Sequence, residues 1–248
     1  MQDNCIFVSI VSHAHGDMVS RLVKQLLSCS QVLQVLVTCN VPEVLYLPTD
    51  PRVLLIKNSV PKGFGANHNK AFSYCTVPWF LVLNPDIVLR DNPFPALLYS
   101  ASMSGAALLS PRAVSSSGFQ EDCWRRFPTL WGLLRKLFGG VDGRYSLPTS
   151  DASAFPVDWV SGLCLFARRE AYAVLGGFDE RYFLYYEDVN ICVCAWRAGF
   201  SVWACPSACL VHDAQRASRR NFRHLCWHLF SMLRYLLIQS WRLPRGGP

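Results

Sequence analysis

Apolar residues in the first third of the chain come in short unbroken runs. Cys5-Ile6-Phe7-Val8-Ser9-Ile10-Val11-Ser12, residues 32–38, Val53-Leu54-Leu55-Ile56 and Trp79-Phe80-Leu81-Val82-Leu83 each read as a strand buried on both faces. Between them the spacing turns helical. Asp17 precedes Val19, Leu22, Val23, Leu26 and Leu27, and Gly63-Phe64-Gly65-Ala66-Asn67-His68-Asn69-Lys70 opens a helix running to Tyr74. Strands that do not alternate, separated by helices, predict an α/β fold: a Rossmann-like, mostly parallel sheet with helices on both faces. Such sheets suit nucleotides.

Past the fourth strand the pattern is less regular. Asn92-Pro93 starts a helix, 106–110 reads as a strand, and Ser115-Ser116-Ser117-Gly118 marks a loop. Residues 123–139 combine Trp124, Leu130, Trp131, Leu133, Leu134, Leu137 and Phe138 with Arg125, Arg126, Arg135 and Lys136, a basic and aromatic helical insertion. A strand over 157–168 and a short helix over 170–175 follow. Gly176-Gly177 then breaks the chain ahead of Phe178 to Tyr186, and Glu187-Asp188 opens a helix (Val189, Cys192, Val193, Trp196) that stops at Gly199. The expected organisation is one continuous globule: a Rossmann-like half over 1–111, an α+β half over 112–215, and a C-terminal amphipathic helical segment over 216–248.

Composition narrows the class. With 248 residues, 51% of them hydrophobic and 17% charged, the chain can bury a large core and is not disordered. A net charge of +7 favours an anionic partner. Nucleic acid is disfavoured, because no recognition motif is present and the carboxylates would face a phosphate backbone. The eleven Cys show no Cys-x-x-Cys and suit buried thiols in a reducing compartment. Cys205, Cys209 and His212 form only a weak zinc pattern. The N-terminus lacks the marks of a signal peptide, and no apolar stretch reaches the roughly 20 residues that span a bilayer. In the C-terminal segment, Arg219, Arg220, Arg223 and Arg234 flank Phe222, Leu225, Leu229, Phe230 and Leu233 at helical spacing, as in a helix lying on a membrane surface; an ordinary packed helix reads the same way.

Three groups could carry chemistry. Pro85 ends the fourth strand, so Asp86 sits in a turn at its carboxyl end, where it either closes an Asx-turn or holds a divalent cation against phosphate oxygens. His212, at another strand end, could complete that metal shell, and His13 and His15 end the first strand. Gly63 and Gly65 would let backbone approach a ligand, with Lys62 adding charge, but the run follows the third strand and lacks the final glycine of a dinucleotide fingerprint. Glu187-Asp188 at a helix start either caps the helix or supplies a base. The helix dipole lowers the pKa of such a base, and burial by Trp159, Tyr185 and Tyr186 opposes that shift.

Together these segments resemble the inverting family-2 glycosyltransferases of GT-A fold, most closely bacterial O-antigen rhamnosyltransferases. The resemblance rests on Ser12-His13-Ala14-His15-Gly16-Asp17, Gly63 to Asn69, Leu83-Asn84-Pro85-Asp86-Ile87, Arg126-Phe127-Pro128, Val157-Asp158-Trp159, Gly177-Phe178-Asp179 through Asp188, Trp227-His228-Leu229 and Arg234-Tyr235-Leu236. It implies Asp188 as the base with Glu187 beside it, and Asp86 with His212 as ligands of Mg2+ or Mn2+. It places a nucleotide sugar, dTDP-L-rhamnose, on Ser12, His13, Asn40, Lys62, Gly63, Phe64, Gly65, Asn69, Asn84 and Asp86. It implies a polyprenyl-diphosphate-linked N-acetylhexosamine acceptor on Trp159, Gly162, Tyr185 and Tyr186, at the cytoplasmic face of the inner membrane. Cys39 stands where such proteins carry an Asp, Asn190 replaces a second helix Asp, and Cys194 replaces an Arg. The alternative they raise is a non-catalytic nucleotide-sugar-binding relative within a glycan assembly complex.

Overall fold

The computed structural model describes residues 2–121, 123–137, 139–140, 143, 145, 153–212, 222–239 and 243–244. In chain order the elements begin with β1 (Ile6–Ser12), α1 (Asp17–Leu27), β2 (Val32–Cys39), β3 (Val53–Lys57), α2 (Phe64–Phe72), β4 (Trp79–Leu83), β5 (Ile87–Val88), α3 (Phe94–Ser104) and β6 (Leu108–Val114). They continue with β7 (Trp124–Arg125), α4 (Leu130–Leu137), β8 (Phe155–Pro156), β9 (Trp159–Val160), β10 (Cys164–Arg168), α5 (Arg169–Val174), α6 (Glu187–Arg197), β11 (Val202–His212) and α7 (Phe222–Ile238).

Nine strands form one sheet in the order β3-β2-β1-β4-β10-β6-β11-β5, with β8 added on β11. β3, β2, β1 and β4 run parallel, as do β6 and β11, and β10 is antiparallel between β4 and β6. β1 and β4 are buried along nearly their whole length because helices cover both faces. α1 buries Val19, Leu22, Val23 and Leu26, the i, i+3, i+4, i+7 stripe that its sequence spells.

Three expectations change in detail. The strand foreseen over 157–168 is cut in two: β9 pairs with β7 in a separate two-stranded sheet, and β10 enters the main one. The intervening turn at 161–163 leaves the ladder to bond elsewhere, with Asn84 and Asp188. The strand expected over 106–110 begins at Leu108 and runs to Val114, across the boundary drawn at 111/112, so one sheet serves both halves. β11 is long, and only its last residues were read as strand, because Pro206 interrupts the pattern; the ladder slips between Cys205 and Cys209 to absorb it. The weak zinc pattern is not realised: Cys205 Sγ lies 3.1 Å from Ser100 Oγ, and among the described residues no three His, Cys, Asp or Glu are grouped to hold a metal ion. All eleven Cys are free thiols. Among the described residues no helix is long and apolar enough to cross a membrane.

Candidate active site

The carboxyl ends of β1, β2 and β4 carry the first group of site residues. Ser12 ends β1 fully buried, and its carbonyl accepts the Asn40 N–H at 2.8 Å. Asn40 Oδ1 then accepts the Lys62 N–H (2.8 Å) and Asn58 Nδ2 (2.9 Å), while its Nδ2 donates to Lys62 O (2.9 Å). Asn40 therefore fixes the 58–63 loop to the end of β2, leaving the Lys62 side chain exposed. His13 Nδ1 lies 3.3 Å from Asn40 Nδ2.

Asp86 follows β4 by three residues. The β11–β5 pairing sets His212 opposite Ile87, which brings His212 Nε2 to 3.1 Å from Asp86 Oδ2. The two residues named as metal ligands from sequence are thus neighbours. Asp86 Oδ1 and His212 Nδ1 are buried and have no hydrogen-bonding partner among the described residues. A buried carboxylate oxygen left over in this way, beside an imidazole, fits a divalent cation that takes its other ligands from substrate oxygens and water. Burial lowers the pKa of His15, and the Asp86 charge opposes that.

Glu187 and Asp188 open α6. They are preceded by Tyr185 and Tyr186, both in the left-handed region (φ 71° and 65°), a conformation costing roughly 1–3 kcal/mol per non-glycine residue. α7 holds this turn. Its Ser231 Oγ donates to Leu184 O (2.8 Å), His224 Nδ1 lies 3.1 Å from Tyr185 Oη, and the His228 ring packs on both tyrosines. Asp188 Oδ2 accepts the Gly162 N–H at 2.9 Å, and Oδ1 its neighbour Val189 N–H at 2.8 Å. Glu187 is 4% exposed, and its Oε2 has no partner among the described residues.

Sequence reasoning weighed the helix dipole against burial, and burial prevails: it raises the pKa of both carboxyls, Glu187 well above the ordinary range, with repulsion from Asp188 adding to it. The N–H groups of Gly162 and Val189 only partly counter this at Asp188.

A cavity of about 370 Å3 lies against these carboxylates. Trp159, Tyr185 and Tyr186 line it, together with Arg125, Arg126 and His228. The basic three were assigned no role from sequence, although the 3.6-residue recurrence of His224, Trp227, His228, Ser231 and Tyr235 marks one face of α7. Asp158 was likewise missed; its carboxylate accepts Phe127 N–H (2.8 Å) and Tyr145 Oη–H (3.1 Å), which pins the arginine loop beside β9. A separate recess of about 120 Å3 borders Asp86 from the α1 side. The two acidic positions share one end of the sheet: Asn84 N–H donates to Leu163 O at 2.9 Å, next to Gly162.

Four residues expected to touch the donor are engaged in the protein's own packing. A Cβ on Gly63 would lie 2.8 Å from Phe183 O, and one on Gly65 2.7 Å from Phe178 Cβ. These glycines admit the 178–183 loop. The Phe64 N–H donates to Phe183 O (2.9 Å), and its ring packs on His68 and Phe178. Asn69 accepts from Tyr172 Oη (2.8 Å) and Phe178 N (2.9 Å) and donates to Phe178 O, so it is committed within the protein.

A mostly parallel sheet with Asp86 and His212 at its carboxyl end, and with Glu187 and Asp188 at a helix start beside an aromatic cavity, is the arrangement of a glycosyltransferase of GT-A fold. Known structures agree on the fold. The chain superposes on GalNAc-T7 with UDP, GalNAc and Mn2+ (TM-score 0.65, 13% identity, 84% of this chain and 43% of that one) and on the mannosyltransferase PcManGT from Pyrobaculum calidifontis in complex with GDP-Man and Mn2+ (TM-score 0.58, 13% identity, 95% and 70%). Among characterised sequences it is 28% identical to rhamnosyltransferase WbbL of Escherichia coli over 251 residues (93% of this chain, 92% of that protein). It is 30% identical to the N-acetylglucosaminyl-diphospho-decaprenol L-rhamnosyltransferase of Mycobacterium tuberculosis over 217 residues (78% and 71%). No family model matches the chain. The chain belongs to the rhamnosyltransferase-like family-2 glycosyltransferases.

Proposed function

We propose that this glycosyltransferase moves a deoxyhexose, L-rhamnose from dTDP-L-rhamnose, to a polyprenyl-diphosphate-linked N-acetylhexosamine, with inversion, at the cytoplasmic face of the inner membrane in cell-surface polysaccharide synthesis. The observation that carries the reading is the pairing of Asp86 with His212 at the same sheet end as buried Glu187 and half-buried Asp188. Relatives named for rhamnosyl transfer, one of them acting on a decaprenyl-diphosphate-linked sugar, support the substrate class.

In this reading His13 and Lys62 flank the nucleotide, with buried Ser12 and Asn40 fixing the strand end and loop that carry them, and the diphosphate lies toward Asp86 and His212. Asp86 and His212 would hold Mg2+ or Mn2+, which when bound would supply positive charge to stabilise the departing nucleoside diphosphate. Asp188 accepts the proton of the acceptor hydroxyl as its oxygen attacks the anomeric carbon from the face opposite the leaving group. Burial favours that role, because a carboxylate whose proton affinity is raised is a stronger base than a solvated one. Gly162 N–H holds Oδ2, which orients the carboxylate toward the cavity. Trp159, Tyr185 and Tyr186 offer faces for the acceptor sugar, and α7 meets the membrane.

The test is a panel of nucleotide sugars scored by thermal stabilisation with and without Mn2+, followed by transfer to a lipid-diphosphate N-acetylhexosamine. Ligands of the native state raise its stability by mass action, about 2.7 kcal/mol at a hundredfold excess over Kd. The expected result is metal-dependent stabilisation, greatest for dTDP-L-rhamnose, and a product of inverted anomeric configuration. Preference for another donor, or retention of configuration, would overturn the finer assignment.

A further inference from the structure

The catalytic cavity lies between two helices that each turn an apolar, basic face outward. In α7 the inward stripe is His224, Trp227, His228, Ser231 and Tyr235, and the opposite stripe is Phe222, Leu225, Leu229, Leu233 and Leu237. That outer stripe is 47–77% exposed. An ordinary surface helix shows the reverse arrangement. The short helix α4 repeats the feature: Thr129, just before it, with Gly132 and Leu133 borders the cavity, while Leu130, Trp131 and Leu134 on the other side are 58%, 69% and 41% exposed. Neither helix contains an acidic residue, and Arg135 and Arg223 are exposed beside the apolar stripes.

We propose that α4 and α7 together form a docking surface for an anionic lipid bilayer, with α4 as a second contact beside the C-terminal helix. Exposed Leu, Phe and Trp suit the acyl boundary, and cations on helices that carry no carboxylate suit anionic headgroups. Because Thr129, Gly132 and Leu133 at α4 and His228 of α7 border the cavity, a lipid-borne sugar enters between the two helices while its tail stays in the bilayer. This last step rests on the reading of a lipid-linked acceptor; the docking surface itself does not.

The test is cosedimentation of the full chain with vesicles of phosphatidylcholine, with and without phosphatidylglycerol. It compares wild type with Trp131→Glu/Leu134→Glu and with Leu229→Glu/Leu233→Glu, each checked for an unchanged thermal midpoint. Transfer is measured in parallel with a bilayer-embedded acceptor and with a short-chain, water-soluble one. Binding that requires the anionic lipid and weakens by at least about tenfold in either double variant is expected. Transfer to the embedded acceptor should fall alongside it, while transfer to the soluble acceptor persists. Wild-type-like vesicle binding by Trp131→Glu/Leu134→Glu would overturn the proposal, as would a wild-type dimer that these variants dissociate without altering vesicle binding. Vesicle binding that responds to both pairs, without transfer to either acceptor, would uphold the surface and defeat the lipid-acceptor reading.

Discussion

Asp188 Oδ2 receives the Gly162 N–H at 2.9 Å, and this bond ties the two halves of the site together. Gly162 sits in the turn between β9 and β10, where the neighbouring Leu163 carbonyl accepts Asn84 N–H, two residues before Asp86. One three-residue turn therefore sets both acidic positions. A Cβ at Gly162 would come within 3.2 Å of the Phe64 ring and 3.6 Å of Asp188 Cβ, so the turn leaves little room for a side chain.

Replacing Glu187 should raise stability. Burial lifts its folded-state pKa, so above the ordinary carboxylate range the native state retains a proton that the unfolded chain has lost. The stabilisation from that proton is full below the unfolded pKa and is lost as pH rises through the folded one. Glu187→Gln removes the penalty and should gain about 1–3 kcal/mol near neutral pH, a rise of roughly 2–10 °C in Tm for a chain of this size. Calorimetry across pH checks it, and the gain should shrink toward acid.

Asp188 carries the same sign into catalysis. As a base it must be ionised, and its pKa is raised, so transfer should climb with pH along a limb lying above that of an exposed aspartate. A kcat/KM profile measures that limb; one already flat from about pH 5 upward, where an exposed aspartate is about nine-tenths ionised, would contradict the assignment.

Gly65→Ala tests the junction between the halves. The new Cβ meets Phe178 Cβ at 2.7 Å, a contact that the 178–183 loop must yield to. A loss of about 1–3 kcal/mol is expected, with a fall in transfer because the loop leads into Tyr185-Tyr186. Chemical denaturation and a transfer assay read the two effects. Had the glycine served donor approach instead, donor affinity would fall without loss of stability.

The parallel core was legible because β1, β2, β3 and β4 are unbroken apolar runs, and Asp86 because Pro85 places it at a strand end. His212 was nameable as a ligand, yet its meeting with Asp86 depends on the β11–β5 pairing, and β5 is only two residues long. The contact of Gly63, Gly65 and Asn69 with the 178–183 loop was not legible for a general reason: a glycine-rich turn signals close approach but not what approaches, and here the loop that fills the space lies more than a hundred residues away in sequence. The raised pKa of Asp188 was likewise unreadable, since it depends on how deeply the chain buries α6. Two of the three departures prove to be one feature. Asn190 and Cys194 face each other a helical turn apart, with Asn190 Nδ2 3.9 Å from Cys194 Sγ, and Asn190 Oδ1 accepts Gln239 Nε2 at 2.6 Å. Through Gln239, the neutral Asn190 anchors the end of α7 to α6.

Asp86 and His212 should act as a pair toward metal. Asp86→Asn and His212→Ala should each weaken Mn2+ binding in the presence of donor by at least about tenfold, read by titration calorimetry, with the double variant little worse than the singles. Additive losses would place the two residues at separate sites.

The most direct measurement compares wild type with Asp188→Asn for donor affinity and for sugar transfer. The expected result is donor binding within about threefold of wild type and transfer reduced by about 10²–10⁴-fold, the range for loss of a positioned base. Undiminished transfer by Asp188→Asn would contradict the account.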